Sequence, residues 1–152
     1  MAHRSYMGLR PSEARSVAVS AYHPERGMLH LTNTKTGHPR YLPLHDYVAE
    51  WLAKYVPRTR RLKGSEPLFQ NPDGREPDKR WTPASERRAW LAACRQVGVT
   101  IKPNEGGRHA FGTHAAARGL GDVRLQKYMG HADPRSTSRY ITLAGEGLAD
   151  VV

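Results

Sequence analysis

Cysteine is nearly absent from this chain of 152 residues, because Cys94 is the only one. A single cysteine excludes an internal disulfide framework and a zinc site built from several cysteines. Long hydrophobic runs are missing too: no stretch approaches the roughly 18 apolar residues of a membrane span, and no charged and then apolar signal segment opens the chain. We therefore expect a soluble, intracellular domain rather than a secreted, membrane or zinc-finger protein.

Negative charge is also scarce, since 14 Asp and Glu stand against 24 Lys and Arg, for a net charge of +10. Arginine supplies most of the positive charge, and two explanations of that preference for arginine over lysine stay open: a GC-rich genome, or bidentate binding of phosphate oxygens. A GC-rich genome does not explain the excess of positive over negative charge, which favours a polyanionic partner. Composition alone leaves DNA, RNA and an acidic protein open as that partner.

Local patterns predict one α+β domain, mainly helical, that carries a small three-stranded antiparallel sheet. Turn residues separate short β-like runs near the amino terminus, and a helical period replaces them after His45. Strands are expected at residues 17–22, 28–32 and 40–44. Helices are expected from residue 11 and at 45–56, 85–97, 109–118, 122–129 and 134–143, with a loop over 58–83.

Several residues spread along the chain suit the binding and attack of a phosphodiester. Arg10 precedes a helix start, Lys35 lies in the second turn between strands, and Arg108 opens a helix, where free backbone N–H groups favour anions. His131 falls between two later helices, and Tyr140 follows it by nine residues. Taken singly, each has an ordinary alternative as a solvated cation, a helix cap or a core aromatic. Their order along the chain is the informative feature.

Five segments resemble, in order, the motifs of the tyrosine recombinase (phage integrase) family. The similarity extends over residues 6–143. The segments are GLRPSEA (8–14) for the first arginine, TKTGHPRYLPL (34–44) for the β-turn lysine and its following strand, RHAFGTH (108–114) for the second arginine, YMGH (128–131) for the Leu-Gly-His element and STSRY (136–140) for the nucleophile.

The resemblance implies cleavage and rejoining of double-stranded DNA without a metal, ATP or other cofactor. Tyr140 would attack phosphorus to form a 3′-phosphotyrosyl intermediate, and Lys35 would act as the general acid for the leaving 5′-oxygen. Arg10 and Arg108 would converge on one phosphate and hold its oxygens, and His131 would hydrogen-bond it. Further contacts to the DNA backbone are expected from Arg40, His109 and Arg139.

One position departs from the family pattern, which usually has His three residues before the second arginine. This chain has Glu105 there. A carboxylate donates no cationic hydrogen bond to phosphate, and its charge repels the transition state unless it is protonated. Either Glu105 accepts the Tyr140 proton as a general base, or the flanking glycines shift the loop and Glu105 points away. No metal site is expected, since His109 and His114 are five residues apart rather than four.

Two functions of different class remain open. One is the catalytic domain of a site-specific recombinase or integrase that integrates or excises mobile DNA. The other is a truncated, catalytically impaired relic that only binds DNA. The resemblance places further helices and a DNA-clamping domain before the first motif, so we expect residues 1–152 to be a single catalytic domain lacking both.

The resemblance also implies partners and a location. It implies a homotetramer on paired DNA sites for the full-length protein, in the cytoplasm of a bacterial or phage-infected cell, with no membrane partner. The tail over residues 141–152 is expected to dock in trans, in cis or not at all.

Overall fold

The computed structural model describes residues 7–35, 37–73, 79–103 and 105–149. The helices and strands there follow the predicted order, except that a short helix, Arg58–Arg61, lies in the segment 58–83 that was predicted to be a loop. The strands are β1 (Tyr22–His23), β2 (Met28–Leu31) and β3 (Arg40–Pro43). The helices are α1 (Pro11–Ser16), α2 (Asp46–Tyr55), α3 (Arg58–Arg61), α4 (Pro83–Gln96), α5 (Ala110–Ala117), α6 (Asp122–Met129) and α7 (Arg135–Ala149). The fold is therefore mainly helical with a small three-stranded antiparallel sheet, as the sequence predicts.

The sheet has the order β1-β2-β3, and both neighbouring pairs are antiparallel. Leu29 on the central strand pairs with Tyr22 on one side and Leu42 on the other, and all three side chains are buried. Alternation along a strand sends such residues to one face, so this face packs on the core. The turn between β2 and β3 carries Lys35.

The first predicted strand, residues 17–22, is mostly wrong. Residues Val19–Ala21 form a 3-10 turn, and only Tyr22–His23 joins the sheet. The backbone on either side pairs with another segment: the Leu68 N–H donates to the Val17 carbonyl at 2.8 Å, and the Val19 N–H donates to the Glu66 carbonyl at 2.9 Å. Val17 and Ala18 are extended, and the segment pairs with a distant loop, which local pattern does not reveal.

The larger hydrophobic core lies between the sheet and α2. Val48 and Leu52, one turn apart on α2, are fully buried, and Val56 follows them. His45 caps this helix through a 3.2 Å hydrogen bond that its ring accepts from the Tyr47 N–H. The helical period of residues 45–56 places Tyr47 on the apolar face with Val48 and Leu52, but Tyr47 is about half exposed.

A second, smaller core lies between α5, α6 and α7. Leu125, Met129 and Tyr140 are buried in it. Phe111 stacks on Tyr128 with ring centroids 5.0 Å apart, and Tyr128 also packs against the larger core. The nucleophile predicted from sequence is thus part of a core, so its ring has a defined position.

Three helix boundaries differ from the prediction. Helix α4 begins at Pro83 rather than residue 85, because Thr82 and Ser85 form a capping box. A π-helical turn, Glu105–His109, comes before α5. Helix α7 continues to Ala149, so most of the expected tail 141–152 is helical, and residues 150–152 lie outside the described residues.

Candidate active site

Residues from five distant parts of the chain line one cavity of about 500 Å³. Arg10 precedes α1, Lys35 lies between β2 and β3, Arg108 belongs to the π turn, His131 follows α6 and Tyr140 lies on α7. The cavity is also lined by Pro11, Ser12, Arg15, His109, Ser136 and Arg139. The structure therefore brings together the five residues that sequence motifs selected for phosphate chemistry.

Arg10 is held at the start of α1 by the helix cap and by a carbonyl across the cavity. Its backbone N–H and its Nη1 donate to the two carboxylate oxygens of Glu13 at 2.8 and 2.9 Å. Its Nη2 donates to the Gly130 carbonyl at 2.6 Å. The side chain is thus fixed between α1 and the end of α6 before any anion binds.

Glu13 is the buried carboxylate on which two arginines converge, and its side chain is 1% exposed. Arg40 donates to it from both terminal nitrogens, at 2.8 and 3.0 Å. Burial acts to raise the pKa of Glu13, but hydrogen bonds from Arg40 and from the Arg10 backbone outweigh it and lower the pKa below its ordinary value. The carboxylate is therefore ionised and neutralises part of the cationic cluster.

Arg108 is the most enclosed cation of the cavity, at 5% exposed. Its Nη1 donates to the Gly8 carbonyl at 2.7 Å and its Nη2 to the Met129 carbonyl at 2.5 Å. Burial, and next the nearby Arg10 charge, lower the pKa of Arg108 to about 10. It is still cationic at neutral pH, and an anion placed between the two arginines would relieve their repulsion.

His131 enters the cavity just after α6 ends. Gly130 takes a left-handed conformation, φ 62°, which allows the chain to turn there. Nδ1 of His131 lies 2.7 Å from the buried Thr137 hydroxyl on α7. Burial, and then the positive charges of Arg108 and Arg10, lower the pKa of His131 to about 4. The imidazole is thus neutral near pH 7.

Tyr140 packs its ring against the backbone of α5. A Cβ atom on Gly112 would lie 2.7 Å from that ring, so only glycine leaves room for it. The Tyr140 hydroxyl and Nδ1 of His109 are 3.0 Å apart, within hydrogen-bond distance. Burial raises the pKa of Tyr140, against the opposing effect of Arg108 and Arg139. The phenol is therefore neutral at rest.

This arrangement places a buried tyrosine and two fixed guanidinium groups on one cavity, and comparison with known proteins identifies the family of the chain. Residues 5–146 match the model of the phage integrase family. The chain belongs to that family.

Its relatives within the family are tyrosine recombinases. It is 30% identical over 141 residues to tyrosine recombinase XerA of Saccharolobus solfataricus, an alignment that covers 93% of this chain and 44% of that protein. It is 31% identical over 151 residues to tyrosine recombinase XerD of Neisseria meningitidis serogroup B, covering 95% of this chain and 50% of that protein. The chain thus spans about half the length of these relatives.

Solved structures of family members share the fold. The crystal structure of XerA recombinase superposes with a TM-score of 0.73 at 20% identity, covering 91% of this chain and 49% of that one. XerH recombinase bound to palindromic difH substrate gives 0.72 at 18% identity, covering 96% and 42%. The catalytic domain of bacteriophage HP1 integrase gives 0.60 at 20% identity, covering 94% and 72%.

The structure places two of the residues selected from the sequence, Arg40 and Glu105, outside the cavity lining. Arg40, expected on the DNA backbone, has a side chain only 12% exposed and is paired with Glu13. Glu105 is about half exposed, lies outside the cavity lining and accepts a 3.2 Å hydrogen bond from the Lys102 N–H. Of the two alternatives for Glu105, the placement away from the cavity describes it.

Glu13 is the site residue that sequence reasoning missed. Its place three residues after Arg10 was interpreted only as a helix-start signal. The signal that identifies it is an acid at the third helical position after an arginine at the N-cap, because that carboxylate accepts hydrogen bonds from the Arg10 backbone N–H and from Arg10 Nη1. The same carboxylate thus caps the helix and holds the arginine.

No helix within the described ranges is long and apolar enough to cross a membrane. In the same ranges, no three His, Cys, Asp or Glu side chains come together as ligands for a metal ion.

Proposed function

We propose that this chain is the catalytic domain of a site-specific recombinase that cleaves and rejoins double-stranded DNA through a 3′-phosphotyrosyl intermediate. The observation that carries the proposal is the shared cavity of Arg10, Arg108 and Tyr140. A nucleophile and two anion-binding groups on one cavity match the needs of a phosphodiester exchange. Integration or excision of mobile DNA is the process that uses such a reaction.

The two arginines suit the charge that develops at phosphorus. A phosphodiester carries one negative charge and its pentavalent transition state carries about two. Arg10 and Arg108 are held by backbone carbonyls and a carboxylate, so little reorganisation is needed as that charge grows. Loss of one such donor typically costs ~100- to 1,000-fold in rate.

Proton transfer completes the exchange. The Tyr140 oxygen forms a bond to phosphorus, the bond from phosphorus to the 5′-oxygen breaks, and that oxygen takes a proton from Lys35. Lys35 lies on an exposed turn at the cavity, where it reaches a leaving group from the open side. His131, neutral and with Nδ1 beside Thr137, offers Nε2 to the phosphate. The covalent bond conserves the energy of the original ester.

The polyanionic partner indicated by the charge of +10 is double-stranded DNA. Structures similar in fold support this choice: XerH recombinase is bound to difH substrate, and the Tn1549 transposon integrase is in complex with circular intermediate DNA. We place the full-length protein in the cytoplasm as a homotetramer on paired sites, with this chain as its catalytic domain.

A DNA-binding protein without cleavage is the second candidate. The position of Glu105 favours it, because the residue that stands where the family has His lies outside the cavity. In that case the cationic cavity would bind backbone phosphate and leave it intact.

A nicked suicide duplex separates the two candidates. Cleavage beside the nick releases the short strand, so the covalent protein–DNA adduct accumulates and is seen on a denaturing gel. We expect an adduct from the wild-type chain, on duplexes carrying the DNA that flanks its gene, and none from Tyr140→Phe. Tyr47→Phe, on an exposed tyrosine of α2, should match the wild type. No adduct from the wild-type chain, alone or joined to the clamp domain of a relative, refutes the enzyme and leaves the binding protein.

A further inference from the structure

An imidazole nitrogen of His109 lies within hydrogen-bond distance of the Tyr140 hydroxyl. The phenol oxygen and Nδ1 of His109 are 3.0 Å apart, with the two rings tilted by 56°. We infer that His109 is the general base that takes the proton of Tyr140 as DNA is cleaved. The inference rests on the proposed function and deepens it. It also replaces the expectation that His109 binds the DNA backbone.

Tyr140 needs such a base because its surroundings favour the protonated phenol. Tyr140 is 3% exposed, and burial raises the pKa of its phenol. A neutral phenol is a weak nucleophile, and the proton must leave as the oxygen bonds to phosphorus. Imidazole is the side chain whose protonation changes nearest to neutral pH, and it accepts a proton when neutral.

The other candidate bases are engaged elsewhere. Nδ1 of His131 is beside the Thr137 hydroxyl, and its ring is stacked on the Tyr140 ring at 6.0 Å between centroids rather than aimed at the phenol oxygen. The carboxylate of Glu105 accepts from the Lys102 N–H, outside the cavity. His109 therefore fills the role of base that Glu105, outside the cavity, does not fill.

The π turn explains how His109 reaches the phenol. It covers Glu105–His109, and Arg108 and His109, at its end, line the cavity while Glu105, at its start, does not. Consecutive residues of one turn thereby supply a cation for the phosphate and a base for the nucleophile. The titratable groups facing this pair across the cavity are Arg10, Arg15, Lys35, His131 and Arg139.

The proposed step is balanced. The Nδ1 lone pair takes the phenol proton while the Tyr140 oxygen bonds to phosphorus, and Lys35 protonates the departing 5′-oxygen. In rejoining, the 5′-hydroxyl attacks phosphorus, its proton returns to Lys35, and the His109 imidazolium returns its proton to Tyr140. The enzyme ends in its starting protonation state, as microscopic reversibility requires.

The direction of the hydrogen bond tests the inference without DNA. If the phenol donates, Nδ1 of His109 is the unprotonated nitrogen, which ¹⁵N spectra of the histidine-labelled full chain at neutral pH distinguish from a protonated one. We expect an acceptor-type Nδ1 resonance that moves in Tyr140→Phe. A protonated Nδ1, or a resonance unchanged by Tyr140→Phe, overturns the inference.

Cleavage kinetics test the step itself. We expect His109→Gln to slow adduct formation by ~100- to 10,000-fold, the range for loss of a general base, with DNA affinity unchanged. His114→Gln, on an exposed histidine of the adjoining helix α5, is the matched control and should cleave like the wild type. Equal rates for His109→Gln and the wild type overturn the inference while the proposed function stands.

A sulfur leaving group distinguishes the base from the acid. A duplex in which sulfur replaces the 5′-bridging oxygen needs no protonation of the leaving group. Lys35→Ala should recover on this substrate, whereas His109→Gln should remain slow. Recovery of His109→Gln would assign it to the leaving group and overturn the inference. Failure of the wild-type chain on both substrates would instead refute the proposed function, and the inference with it.

Discussion

Glu13 accepts hydrogen bonds from both terminal nitrogens of Arg40, at 2.8 and 3.0 Å, and thereby joins β3 to α1 next to the candidate active site. The same carboxylate caps α1 by accepting from the Arg10 backbone and holds the Arg10 side chain. One buried charge therefore positions Arg10 and anchors the strand that follows the Lys35 turn. Arg40 is paired with this carboxylate and lies outside the cavity lining.

Neutralising this carboxylate should destabilise the fold. Glu13→Gln leaves the buried guanidinium of Arg40 without its charge partner, and removing one member of a buried pair typically costs about 3–5 kcal/mol. We expect a clear fall in the midpoint of urea unfolding and slower DNA cleavage. Glu50→Gln, on the exposed face of α2, should change the unfolding free energy by less than about 0.5 kcal/mol. Matching midpoints for the two variants would contradict this account of Glu13.

Gly112 should be essential for the position of the nucleophile. In Gly112→Ala the new methyl group would lie 2.7 Å from the Tyr140 ring, so the ring must move. We expect the free energy of unfolding to fall by about 1–3 kcal/mol, as for other overpacked cores, and adduct formation to be largely lost. Gly145→Ala is the control, because nothing lies within 4 Å of its Cβ position.

Gly145 lies inside α7, where alanine is the better helix former. Gly145→Ala should therefore raise stability by about 0.5–1 kcal/mol without slowing cleavage. Equal stability and activity for Gly112→Ala and the wild type would show that Tyr140 has more room than the structure indicates.

Thr137 should act on catalysis through His131. Its buried hydroxyl lies 2.7 Å from Nδ1, and the hydrogen bond of one ring nitrogen sets the role of the other. Thr137→Val keeps the shape and removes the hydroxyl, so we expect slower cleavage with DNA affinity preserved. Thr137→Ser restores the hydroxyl and should restore the rate. A Thr137→Ser variant as slow as Thr137→Val would assign the residue to packing alone.

Stability should fall in mild acid because of His131. Its pKa is about 4 in the folded state against an ordinary value of 6.5, so the unfolded chain binds a proton first as the pH falls. Stability from this residue is complete above about pH 6.5 and is lost progressively toward pH 4. We expect His131→Gln to reduce the difference in unfolding midpoint between pH 7 and pH 5. An unchanged difference would show that His131 titrates as an ordinary surface histidine.

DNA affinity should fall steeply with salt, because contacts to backbone phosphate release counterions. Arg139, exposed and on the cavity lining, should contribute one such contact. We expect Arg139→Gln to reduce the slope of log affinity against log salt by about one. Arg95→Gln, exposed on α4 outside the cavity lining, should leave the slope unchanged. Affinity that does not vary with salt would contradict a phosphate-dominated interface.

Much of the fold follows from local signals. Helix α6 has the predicted bounds of residues 122–129, because Gly121 and Gly130 mark both of its ends. The β2–β3 hairpin and helix α2 follow from alternation of period two and from the helical period. Four of the candidate site residues, Arg10, Lys35, Arg108 and His131, stand at the end of an element or in a turn, and Tyr140 lies within α7. All five were selected from motifs that are visible in the sequence.

The sequence by itself determined the order of elements, the family and the set of groups suited to phosphate. Only the tertiary structure decided which group each one contacts. Residues 17–20 pair with a distant loop rather than the sheet, Arg40 pairs with Glu13, and His109 rather than Glu105 lies beside the Tyr140 hydroxyl. Spacing along the chain determines which face a residue occupies. A buried carboxylate or phenol binds the partner that long-range packing brings within hydrogen-bond distance, because burial removes the water that would otherwise satisfy it.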